Sequence, residues 1–176
     1  MSGIVSQSVR MPAVYAGKLS NGDFGVGPES SGTPVSDLAG ASFFQSREMD
    51  ITANLRLDWD VIPDLKLSLI TAYDEDNEAD KRFLASQQLN ANILVGPSEL
   101  TQNTNYTPYK TLQGLAEYNK QIKDHQFSLL LGYSFEDHHT ELVTAYRDNF
   151  PGNDLTQLDV GSATNQQASG SGNDWA

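Results

Sequence analysis

The stretch Tyr118-Asn119-Lys120-Gln121-Ile122-Lys123-Asp124-His125-Gln126-Phe127-Ser128-Leu129-Leu130-Leu131-Gly132-Tyr133-Ser134-Phe135-Glu136 decides the fold. From residue 127 to 135 the odd positions are Phe, Leu, Leu, Tyr and Phe, and Ser128, Leu130, Gly132 and Ser134 fall between them. Successive side chains of a strand point to opposite faces, so a period of two with large apolar groups on one face is a strand signal. Lys123-Asp124 is short enough for a hairpin turn. The stretch reads as an antiparallel hairpin with one apolar face and one small or polar face.

Working outward, the same texture appears from residue 50. Ile51, Ala53, Leu55, Leu57, Trp59 and Val61 alternate with Thr52, Asn54, Arg56, Asp58 and Asp60. Pro63-Asp64 ends this strand, because proline cannot donate into a ladder. A second strand follows at once, with Leu65, Leu67, Leu69, Thr71 and Tyr73 on one face. Lys66, Ser68, Ile70, Ala72 and Asp74 alternate with them. A third is expected through residues 110–118 and a fourth from 125 to about 145. Residues 1–45, rich in Gly, Ser and Pro, are expected to be irregular, apart from a tight turn at Asn21-Gly22. Val5 and Val9 fit the end of a strand entering from upstream. Residues 46–146 form two hairpins joined by a long polar loop, 74–105, and residues 147–176 form a polar loop or tail.

Short and long connections therefore alternate along the chain. The aromatics follow the same scheme, with Trp59 and Tyr118 near the short turns and Tyr73, Tyr133 and Phe135 at the opposite strand ends. The combination predicts an all-β chain: an open antiparallel sheet of about four long strands. It fits a segment of a transmembrane β-barrel with short turns on one side and long outer loops on the other. Residues 65–73, tilted by ~45°, would rise about 19 Å at ~3.4 Å per residue. The apolar band of such barrels is ~25 Å tall.

Composition is compatible with this. The chain has 176 residues, 38% of them hydrophobic, and a mean hydropathy of −0.44. A barrel needs apolar residues only at alternate positions, so a low average does not oppose it. No apolar run of ~18 residues exists, which excludes a transmembrane helix. The net charge of −12 opposes nucleic-acid binding, since no basic patch is available to neutralise phosphates. Cysteine is absent, so neither disulfides nor thiolate metal sites arise. The first ten residues lack a charged region followed by an apolar one and do not read as a secretory signal.

Asp124-His125-Gln126-Phe127-Ser128-Leu129-Leu130-Leu131-Gly132-Tyr133-Ser134, then Arg147-Asp148-Asn149-Phe150-Pro151, then Ser162-Ala163-Thr164-Asn165, resemble the barrel of SusC/RagA-type TonB-dependent outer-membrane receptors. Met11-Pro12-Ala13-Val14-Tyr15 and Asn21-Gly22-Asp23-Phe24-Gly25 are similar to further segments of that family, so the resemblance spans residues 11 to 175. It implies a slice of a barrel of about 22 strands around a plug. It further implies nutrient import (oligosaccharide or peptide) across the outer membrane, a SusD-like surface lipoprotein as partner, and energy from the TonB complex. The signal peptide, plug and TonB box would lie elsewhere in a longer polypeptide. The other reading of alternating strands is a soluble β-sandwich, such as a carbohydrate-binding module, with its apolar faces inward.

No nucleophile–base pair, phosphate-cradling loop or paired carboxylate points to catalysis, so no enzyme, catalytic residue or cofactor is expected. His138 and His139 invite a metal reading, but neighbours on a strand face opposite ways and cannot share one ion. The acidic run 74–80 lacks the glycine and bidentate glutamate of an EF-hand loop. Asn105-Tyr106-Thr107 matches a glycosylation sequon, a pattern common by chance. No metal ligand is assigned, and the substrate-binding residues are unknown. Arg56, Asp58, Lys66, Gln113, Glu117 and Gln126 are expected on the lumen side. Ligand contacts are expected in the loops at 74–105 and beyond 140.

Overall fold

The structure, a computed structural model, describes residues 2–176. Met1, the first residue of the stretch expected to be irregular, lies outside the described residues. The fold is all-β in its body: a five-stranded, open antiparallel sheet in the order β1-β2-β5-β6-β7. Its strands are β1 (Phe43–Ile62), β2 (Leu65–Leu84), β5 (Glu99–Ile122), β6 (His125–Asp148) and β7 (Ser162–Trp175). A small hairpin, β3 (Gln87–Asn90) and β4 (Ile93–Val95), sits in the connection between β2 and β5. Two helices, α1 (Ser2–Arg10) and α2 (Pro34–Ala39), precede the sheet.

The two short turns fall where proline and the Lys-Asp pair predict them, at Pro63-Asp64 and Lys123-Asp124. Lys123 takes a left-handed φ of 52°. Asn21-Gly22 also turns the chain: Gly22 has φ 91°, and the Leu19 N–H donates to the Asp23 carbonyl at 2.9 Å.

Four expectations are corrected. The strands run much further than the apolar alternation does. β2 continues through 74–80 to Leu84 and β5 begins at Glu99, so most of the expected loop is strand. Beyond the apolar band there is no hydrophobic contrast to read, and backbone pairing alone carries the ladder. The expected polar tail contains β7, a fifth strand rich in Ser, Gly, Asn and Gln. Val5 and Val9 lie on a helix rather than a strand. A spacing of four suits both a period of two and a helical turn, so that pair does not discriminate. Residues 34–39 form a helix with a full capping box. Thr33 Oγ1 accepts from the Ser36 N–H, and Ser36 Oγ accepts from the Thr33 N–H at 2.8 Å. Thr33-Pro34, a capping residue followed by proline at the first helical position, is the signal that was there to be read.

The chain divides into two compact units. One, the loop unit, comprises the residues up to Ser46, Asp80–Gln102 and Thr144–Ser169. The other, the sheet unit, comprises Arg47–Ala79, Asn103–Val143 and Gly170–Ala176. The buried hydrophobic side chains Phe83, Leu89, Leu100 and Phe150 all belong to the loop unit. Phe83 and Phe150 meet edge-on at 5.5 Å, and Phe43 lies 5.8 Å from Phe83. The sheet unit keeps its large apolar side chains in the open, with Trp59 and Tyr133 both 66% exposed.

Candidate functional site

Hydrogen bonds and ion pairs fix which residues of the sheet unit share a face. Ser68 of β2 donates to Asp58 of β1, and Glu48, Asp50 and Asp76 bring carboxylate oxygens within 4.8 Å of one another. Even positions of β1 and β2 therefore lie together, and their odd positions lie together on the other side. The Asn119 N–H of β5 donates to the Asp64 carbonyl at 2.8 Å, which pairs even residues of β2 with odd ones of β5 and so joins the odd face of β2 to the even face of β5. Lys110 pairs with Asp137 at 3.8 Å, and Tyr106 meets His139 edge-on at 6.4 Å. The even face of β5 thus continues as the odd face of β6.

One face of the sheet consequently collects Leu55, Leu57, Leu67, Leu69, Leu112, Leu129 and Leu131, with Trp59, Tyr118 and Phe127 toward the short turns. Tyr73, Tyr133 and Phe135 follow toward the other strand ends, and beyond them come Glu75, Lys110, Asp137, His139 and Asp174, with Tyr106 past Lys110 on β5 beside His139. The succession on this face is aromatic, aliphatic, aromatic, charged. Leu131 is 60% exposed there. Transferring such a side chain from water to hydrocarbon is worth about 1.5–3 kcal/mol.

The opposite face is polar. Arg56 holds Asp58 at 2.9 Å, and Asp58 also accepts from Ser68. Lys66, Gln113, Glu117 and Gln126 fall on this face by alternation, as the sequence predicts for all six polar residues. Large apolar side chains also fall on this face, among them Ile70 and Leu130, the latter 64% exposed. Leu115 lies here too, over Gly132, where an added Cβ would come within 3.2 Å of Leu115 Cδ2.

At the charged end the two adjacent histidines do different things. His139 Nδ1 bonds the Asp174 carboxylate, and its Nε2 lies 3.9 Å from Glu141. His138 stacks on Trp175, with centroids 5.3 Å apart at 30°. Tyr109 contacts both of those rings, at 6.0 and 6.2 Å. A hydrogen bond to Glu136 raises the Tyr109 hydroxyl above its ordinary pKa, with burial and Asp74 adding to the effect. The histidines thus have separate partner sets on opposite faces, as strand geometry requires. The three carboxylates of Glu48, Asp50 and Asp76 are all exposed.

The Arg147-Asp148-Asn149-Phe150-Pro151 segment ties the loop unit together. Arg147 donates to the carbonyls of Asp159 (3.3 Å) and Gly161 (3.1 Å) and to Gln166 Oε1 (2.9 Å). Asp148, 5% exposed, accepts from Asn149 and Asn165. Asn149 takes φ 52° and donates its N–H to the Ser98 carbonyl at 2.9 Å. The Phe150 N–H then donates to Ser98 Oγ at 3.0 Å, and the phenyl ring enters the core. Beside this knot a cavity of about 370 Å³ is lined by Ala145, Tyr146, Arg147, Leu158, Gln166 and Gln167. Burial raises the Tyr146 hydroxyl pKa, helped by Glu99 and Asp148. The cavity pairs a neutral phenol and two amides with an apolar wall. Sequence reasoning placed ligand contacts beyond residue 140 but named none of these side chains, because the cavity depends on where β7 lies.

No family model matches the chain, and no curated protein matches it.

Proposed function

We propose that the chain is part of the barrel wall of a TonB-dependent outer-membrane transporter of the SusC/RagA type, importing oligosaccharides or peptides. The observation that carries this reading is the exposed apolar face, bounded at both strand ends by aromatics and beyond one of them by charges. Trp and Tyr favour both edges of a bilayer's hydrocarbon core, and charges favour water. A soluble sandwich turns such a face inward against a second sheet. The open edges β1 and β7 fit the same reading, because hydrocarbon leaves no partner for unpaired backbone groups except neighbouring strands. In this reading the polar face, with the Arg56–Asp58 pair, lines the lumen beside the plug. The Tyr146–Arg147–Gln166 cavity of the loop unit is among the ligand contacts. A SusD-like lipoprotein caps the loops, and the TonB complex supplies energy through other parts of the receptor.

The test is the size and location of the native polypeptide. An antibody against residues 85–98 is used to blot fractionated envelopes of the source cells. The expected result is a band far larger than 19.2 kDa in the outer membrane. A band at that mass in the soluble fraction would sink the transporter reading and favour a sandwich module.

A further inference from the structure

β7 has few apolar side chains to hold it in place, and its polar ties to β6 at Asn165–Asp148 and Gln166–Arg147 hold only its first residues. Apart from Ala163, Ala168 and Trp175, its residues from Ser162 to Trp175 are polar or glycine. A Gly-rich strand polar on both faces specifies its register weakly, and a slip of one residue turns every side chain to the other face. Its backbone runs close along β6: a Cβ at Gly170 would lie 3.5 Å from the Leu142 carbonyl oxygen, and one at Gly172 3.4 Å from that of Thr140.

Near its end two consecutive residues are gripped by two consecutive residues of β6. Asp174 is bound by His139 on one face. Trp175 is stacked on His138 on the other, where His138 also bonds Thr140 at 3.1 Å and Tyr109 closes the ring cluster. A one-residue slip would carry Asp174 to the side of His138, Tyr109 and Glu136, and Trp175 into the carboxylates around His139. We propose that His138 and His139 form a two-faced clasp that sets the register of residues 170–175 of β7 on β6, and that its His139–Asp174 half opens as pH rises. This inference does not depend on the transport reading.

The direction follows from the groups facing His139. Asp174 on β7 and Asp137 and Glu141 on β6 favour the imidazolium, while Tyr106 of β5 contributes a ring edge and partial burial opposes the charge. Lys110 of β5 pairs with Asp137 and tempers its pull. The Asp174 hydrogen bond is the largest cause, and it raises the His139 pKa above the ordinary ~6.5. The clasp is therefore complete below the ordinary histidine pKa and is lost as pH climbs through the raised one. His139 lies four residues past Phe135, outside the apolar band.

The experiment is hydrogen exchange of the full chain in detergent micelles at about pH 5 and about pH 9, corrected for intrinsic rates, the two values bracketing histidine titration. Amides 127–135 of β6 report in each sample that the sheet is folded. Protection of amides 170–175 is expected to fall several-fold from the acidic to the alkaline condition. His139→Gln and Asp174→Asn should each flatten that dependence, whereas His138→Ala should lower protection equally at both pH values. Equal protection at both pH values in the unaltered chain, no protection of 170–175 at either, or a pH dependence that survives His139→Gln would overturn the proposal.

Discussion

Phe150 shows how one side chain can serve two levels of structure. Its backbone is fixed by Ser98, and its ring packs edge-on against Phe83 inside the loop unit. Phe150→Ala is expected to destabilise that unit by about 3–5 kcal/mol, the range for removing a buried phenylalanine. Denaturant titration followed by exchange of amides 83–100 measures it. Gly161 is a second sensitive position, for space rather than conformation. A Cβ there would lie 2.8 Å from Arg147 Cβ and 2.9 Å from Phe150 Cζ. Gly161→Ala should cost about 1–3 kcal/mol through overpacking, read in the same titration. An unchanged midpoint in either variant would contradict the packing described. The Arg-x-Asn-Phe-Pro pattern was visible in the sequence. Its job of joining residues 83–100 to 147–161 was not, because those partners lie some fifty residues away.

Single strands carry the functional reading. On β6, Leu131 and Ser128 are near neighbours on opposite faces, one apolar and one polar. On the proposed barrel-wall reading, Leu131→Arg should weaken membrane insertion by about 2–4 kcal/mol, as for a cation near the bilayer midplane. Ser128→Arg should leave insertion close to unchanged. Urea titration in lipid vesicles distinguishes them, and equal losses would mean that the two faces do not differ in environment. The same strand shows the range of the sequence signal. Alternation is plain over 127–135 and vanishes over 136–148, yet the ladder continues to Asp148. Over 74–80 the same thing happens: polar residues alternate almost entirely with polar residues, and the strand continues on its backbone hydrogen bonds.

At the scale of the whole molecule the sheet has two free edges, β1 and β7. β1 offers a long row of backbone groups from Phe43 to Ile62, and free edges of that kind recruit further strands. The isolated chain is expected to need detergent and to associate through its edges rather than to transport solute. Sedimentation in detergent and a solute-flux assay in liposomes check this, and a monodisperse, detergent-free monomer or selective flux would overturn it. The net charge of −12 keeps the loops solvated and does nothing to cover the apolar face.

The period of two at 51–61, 65–73 and 127–135 determined the all-β class, the antiparallel hairpins and both short turns. Those features are local: side-chain alternation and turn chemistry are written in neighbouring residues. Tertiary structure alone decided the reach of the strands past the apolar band and the pairing of β7. It also decided the Phe83–Leu100–Phe150 core and the cavity beside Arg147. Each of these rests on contacts between residues far apart in the chain, whose backbone hydrogen bonds and close packing leave no periodic mark in the sequence.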